Sequence, residues 1–188
     1  MSATIALARR ELQLLFGTPT AYAALFVFYL LLSYLYVFPL FLVGQASLRA
    51  LLEPGPLLLT LLAPALTMGA IAEERRSGTF ETLATLPLTD AQLVAGKFLA
   101  FAAVLASAIA GLCFFPAALI SLVQPPLSLD WGESAGVLAA LLLQGLACGA
   151  IGLFASSLAR SQIVSYLVGF VLCFALLLAG KAAGMLPG

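Results

Sequence analysis

Long apolar stretches, interrupted by single charges, organise this chain. From one charged residue to the next, uncharged runs cover residues 12–48, 54–72, 98–129, 134–159 and 161–180. An α-helix rises ~1.5 Å per residue and the hydrocarbon core of a bilayer is ~30 Å thick, so about 20 such residues suffice to cross it. The pattern predicts an all-α chain, a single polytopic transmembrane domain over residues 1–188, with five spans at 20–43, 55–72, 92–123, 135–158 and 162–180. Pro64 falls inside the second span, where its ring removes a backbone donor and predicts a kink. Ahead of the first span, Ile5, Ala8, Leu12, Leu15 and Phe16 recur at three- and four-residue spacing. That is the stripe of an amphipathic helix over 3–17, stopped by Gly17 and Pro19. It either lies on the inner membrane surface as an interfacial helix or extends the first span.

The densest polar stretch, residues 73–90, joins the second and third spans. Gly78 can take the left-handed conformation that ends the second span. Thr79 can cap a short helix with Glu81 in its first turn, and Pro87 closes it about two turns on. Phe80, Leu83, Ala84 and Leu86 give that helix an apolar face. Thr89-Asp90-Ala91-Gln92 then has the capping-box pattern, with Leu88 and Leu93 placed as its hydrophobic staple. The helix it opens is expected to run from Asp90 to Val123, about 50 Å, with Lys97 snorkelling at the membrane boundary. A short bar held between two spans by capped corners can turn a push from a cytoplasmic protein into helix tilt. A plain solvated loop is the alternative.

Composition removes several classes of function. With 63% of residues hydrophobic and 9% charged, against roughly 25% charged in a soluble domain, the chain is not a soluble fold. Eight basic residues balance eight acidic ones, so no basic surface is available for nucleic acid. The absence of His and the wide spacing of Cys113, Cys148 and Cys173 leave no metal site and no disulfide framework. The cysteines read as small buried apolar residues. No acidic or basic residue falls at the centre of a predicted span, which argues against proton or sodium coupling. Lys97 and Lys181 each follow a glycine but precede Phe98 and Ala182, so neither belongs to a phosphate-binding loop. No nucleophile has a base beside it. Energy for any work must then come from a partner.

Orientation follows from the basic residues. With the N-terminus cytoplasmic, the inner segments hold Arg9, Arg10, Arg75, Arg76, Lys97 and Arg160, while the outer ones hold Arg49 and Lys181. Trp131 then sits at the outer interface. Arg9-Arg10 does not read as an export signal, because Glu11 follows at once and the next apolar run is longer than a signal core. In the fourth span Gly145, Gly149 and Gly152 form a small-residue face for close helix packing, within one subunit or between two. Gln144 beside them either bonds to a neighbouring helix or lines a substrate path.

The segment Glu73-Glu74-Arg75-Arg76-Ser77-Gly78-Thr79-Phe80-Glu81-Thr82-Leu83, followed by Pro87 and by Gly96-Lys97-Phe98, resembles the cytoplasmic segment of ABC-2-type transporter permeases. The resemblance is particularly to the gliding-motility-type and nitrous-oxide-accessory-type subfamilies. Arg10-Glu11-Leu12, Phe16-Gly17-Thr18-Pro19-Thr20-Ala21-Tyr22 and Pro64-Ala65-Leu66-Thr67-Met68 also resemble theirs. The resemblance implies a permease subunit of the bacterial inner membrane that exports a substrate. It would dimerise with a second permease subunit, as a homo- or heterodimer, and bind separate cytoplasmic ABC ATPase subunits. It implies no cofactor on this chain, since ATP is bound by the partner. It makes the hairpin a coupling helix, carried by Glu73, Glu74, Arg75, Gly78, Thr79, Glu81, Leu83 and Pro87. Six spans are expected in the family, so the end after the fifth leads to the expectation that a final span has been lost, the alternative being a five-helix chain. A non-transporting bundle that anchors or assembles a partner complex is the rival function. The residues do not specify a substrate.

Overall fold

The computed structural model describes residues 3–43, 53–78, 89–114 and 131–185. Thr79, Glu81, Leu83, Pro87 and Leu88 lie outside these residues. The elements are α1 (Ala3–Gly17), α2 (Pro19–Val43), α3 (Gly55–Thr67), α4 (Ala72–Ser77), α5 (Asp90–Leu112), α6 (Trp131–Leu158) and α7 (Gln162–Met185). Among the described residues, four stretches are long and apolar enough to cross a membrane: Gly55–Ser77, Asp90–Leu112, Ala135–Leu158 and Gln162–Ala182. The bent pair α1 and α2 makes a fifth when counted as one broken span. The chain is a polytopic helical bundle.

The two N-terminal helices meet at 72°, so α1 is a separate helix and not a straight extension of α2. Pro19 opens α2 where its missing N–H has no intrahelical partner to lose. At the corner Thr18 Oγ1 donates to the Leu15 carbonyl at 3.0 Å, and Phe16 meets Tyr22 edge-on with ring centroids 5.7 Å apart. Of the expected stripe on α1, Leu12, Leu15 and Phe16 pack partly buried against the core, whereas its N-terminal part is turned differently. Leu7 and Glu11 turn inward, 5% and 9% exposed, whereas Ile5 and Leu14 are each half exposed. The cause lies on α5, where Leu7 packs over Gly96 and the next residue is a buried lysine that draws Glu11 in.

Pro64 sits inside α3, and the helix yields to a turn at residues 68–71 before α4 resumes. α5 opens on the expected capping box: Gln92 N donates to Thr89 Oγ1 at 3.3 Å, and Thr89 N donates to Gln92 Oε1 at 3.1 Å. It ends at Leu112, with Cys113 as its C-cap, and does not continue unbroken to Val123. Residues 115–123 of the expected helix lie outside the described residues. Cys113 is exposed at that end, contrary to the expectation of burial, while Cys148 and Cys173 are buried.

The core is built where α2, α3, α5 and α6 face one another, around Leu32, Leu59, Phe101, Val104 and Leu105. α3 lies at the centre and α7 at the edge: 61% of the span containing α3 is buried, against 17% of that containing α7. In lipid the apolar drive between helices is small, and close approach decides packing. Gly145 and Gly149 face Leu105 and Phe101 of α5, and Gly152 faces Thr67 of α3, each so tightly that a Cβ would collide. All three contacts lie within this chain.

Candidate functional site

The antiparallel course of the helices gathers the α1–α2 corner, α4, the first turns of α5 and the α6–α7 corner at one end of the bundle. α4 is the hub of that end. The break between α3 and α4 frees backbone groups that need partners, and one side chain supplies them. Ser156 Oγ accepts from Ile71 N and Ala72 N at 3.0 and 3.1 Å and donates to the Met68 carbonyl at 3.1 Å. Three of the four charged residues of α4 then each reach a different helix or corner. Glu73 Oε2 accepts from Gln162 Nε2 on α7 at 3.0 Å, and Arg75 Nη1 donates to the Ser157 carbonyl at the end of α6 at 2.6 Å. Glu74 Oε1 accepts from Lys97 Nζ on α5 at 2.6 Å. Gly78, at φ 74° and ψ 0°, ends α4 in the left-handed region anticipated for it.

Lys97 does not snorkel. It is 3% exposed, and its ammonium lies 2.6 Å from Glu74 and 3.2 Å from Glu11 Oε1. This triad ties α1, α4 and α5 together. A lysine so far from water is stable only when paired, and here the pairing corrects the expectation of an extended side chain at the boundary. Arg76 stays at the surface, its Nε 4.0 Å from Glu73 Oε2. A cavity of about 250 Å³ opens beside the triad and includes Glu11, Thr20, Glu73 and Gln162 in its wall.

Of the residues singled out from the sequence, Glu73, Glu74, Arg75 and Gly78 are thus brought to one end of the bundle, whereas Gly145, Gly149 and Gly152 lie along α6 against α5 and α3. Gln144 Nε2 donates across to the Pro56 carbonyl of α3 at 3.1 Å. Glu11, Lys97, Ser156 and Gln162 were not assigned to this site by sequence reasoning. A lysine seven residues into an apolar helix was the available signal, because it demands a buried counter-charge.

The sequence matches the family described as ABC-2 family transporter protein over residues 43–186, more than half of the chain. The chain belongs to the ABC-2 transporter family. As such it is a multi-pass membrane permease of an ABC transporter. Comparison with curated proteins gives no match. In this permease the matched region runs from the end of α2 through α7 and includes α4 together with the segment that follows it. Permeases of this family normally work with a cytoplasmic ATPase.

Proposed function

We propose that this permease couples ATP hydrolysis by a separate cytoplasmic ABC ATPase to export of a substrate across the bacterial inner membrane, working as a dimer with a second permease subunit. ATP is held by the partner, and this chain carries no cofactor. The N-terminus and the α4 end are cytoplasmic. Residues 73–90 form the coupling hairpin, with Glu73, Glu74, Arg75, Gly78, Thr79, Glu81, Leu83 and Pro87 as its working residues. Their pattern is that of the gliding-motility-type and nitrous-oxide-accessory-type permeases.

One observation carries the reading: Glu73, Glu74 and Arg75, three consecutive residues, hold α7, α5 and the end of α6 respectively. A solvated loop has no reason to be bonded to three helices at once. A push delivered through Gly78 would reach all of them, and because packed helices are not continuously deformable it would move them as units. The test is co-purification of the tagged protein from its native host in mild detergent. A cytoplasmic ATPase should come with it in stoichiometric amount and be lost on Glu81→Ala/Leu83→Ala. If a well-folded sample brings down no ATPase under several gentle conditions, the coupling reading fails.

A further inference from the structure

The seam between α6 and α7 carries its small residues in mirror order. Cys148, Gly152 and Ser156 follow one another at four-residue steps on α6, and Ser165, Gly169 and Cys173 do so on α7. All six are buried. A Cβ on Gly169 would lie 3.5 Å from the Cα of Gly152, so the two backbones nearly touch at that point. One turn further along each helix, Cys173 Sγ donates to the Cys148 carbonyl at 3.6 Å, and the two sulfurs are within hydrogen-bonding reach of one another. A disulfide spans Cα atoms about 4.4–6.8 Å apart, and small residues at a crossing allow helices to come that close.

The surroundings of the pair decide which oxidant suits it. Cys148 is 1% and Cys173 0% exposed, whereas Cys113 is exposed. An anion buried in hydrocarbon is costly, so disulfide formation through a thiolate is disfavoured at this depth. Removal of a hydrogen atom creates no charge. An organic peroxyl radical acts in this way and dissolves in the bilayer. Each of two such radicals takes a hydrogen atom from one thiol and becomes a hydroperoxide, and the two sulfurs then pair their electrons. Two S–H bonds break, and two O–H bonds and one S–S bond form; sulfur is oxidised and the peroxyl oxygen reduced. Position gives the new bond an effect. None of residues 174–182 is buried, so Cys173 is the last buried side chain of α7 among the described residues. A bond there would hold α7 where its grip on the bundle ends.

We infer that Cys148 and Cys173 form an intramembrane dithiol, a modification site that peroxyl radicals in the bilayer convert to a disulfide, clamping α7 to α6. The inference goes beyond the coupling reading and requires neither the ATPase nor the hairpin, so the two fail separately. The test places the full-length protein in liposomes of saturated lipid with a lipid-soluble azo initiator under oxygen, which supplies peroxyl radicals within the bilayer. Unreduced peptides are then mapped by mass spectrometry. A peptide of α6 should be joined to one of α7 through Cys148 and Cys173, lighter than the two free peptides by two hydrogens, and a membrane-permeant phosphine should separate them. Cys113→Ala should leave this cross-link in place, and Cys173→Ala should abolish it. The cross-linked protein should melt in detergent at a higher temperature than the reduced one, since the bond closes the α6–α7 loop. Wild-type protein that stays folded and consumes radicals while both buried cysteines remain thiols overturns the proposal. Preferential pairing of either with Cys113 also overturns it, and equal melting of the fully cross-linked and reduced forms overturns the clamp. The decisive arms use the unaltered chain, so they stand even if a variant fails to fold.

Discussion

Lys97 shows how one residue can organise a bundle end. Its ammonium is enclosed by two carboxylates from other helices, so each member of the triad is buried only because the others are. Removing the lysine leaves Glu11 and Glu74 facing one another without a cation, a change that costs about 3–5 kcal/mol when a buried pair loses a partner. Lys97→Met is therefore expected to lower the midpoint of thermal unfolding in detergent, whereas the triple change Lys97→Met/Glu11→Gln/Glu74→Gln should recover most of the loss. If the single and triple variants melt alike, the triad contributes by packing and not by charge. The identities of these residues were plain in the sequence, but their partnership was not. Glu11 and Lys97 are separated by two spans, and only the docking of α1 on α5 brings them together.

At the scale of elements, the gaps between charges located the helices because the bilayer requires continuous apolar length. Local chemistry located the corners it controls, Gly78 and the Thr89 capping box. What lay beyond reach were features set by tertiary partners: the inward face of α1, and the α3–α4 break that Ser156 stabilises from α6. The Gly78 corner allows a separation of roles. No side chain lies within 4 Å of a Cβ built there among the described residues, so a substitution meets space and strains only the backbone. For a β-branched residue at φ 74° that strain is about 1–2 kcal/mol or somewhat more. Gly78→Val should leave the spans folded, with a melting curve close to wild type, yet redirect the segment that follows and reduce the co-purified ATPase. Undiminished ATPase capture by Gly78→Val would remove this corner from the coupling hypothesis.

For the whole molecule, the sequence asymmetry of six basic residues against two acquires a physical location. Arg9, Arg10, Arg75, Arg76, Lys97 and Arg160 lie on α1, on α4, in the first turns of α5 and at the α6–α7 corner, which the packing collects on one side, so orientation and site stand or fall together. If that side faces the cytoplasm, as the positive-inside rule requires, α4 can meet a cytoplasmic ATPase; if it faces outward, it cannot. Ser77 at the end of α4 and Gly180 near the far end of α7 are both exposed and mark the two sides. In a background with Cys113, Cys148 and Cys173 replaced by alanine, Ser77→Cys should react with a membrane-impermeant maleimide in inside-out vesicles and not in spheroplasts. Gly180→Cys should do the reverse. The opposite labelling pattern would place α4 and its three bonded helices on the outer side, and no arrangement of the hairpin could then receive a stroke from ATP hydrolysis.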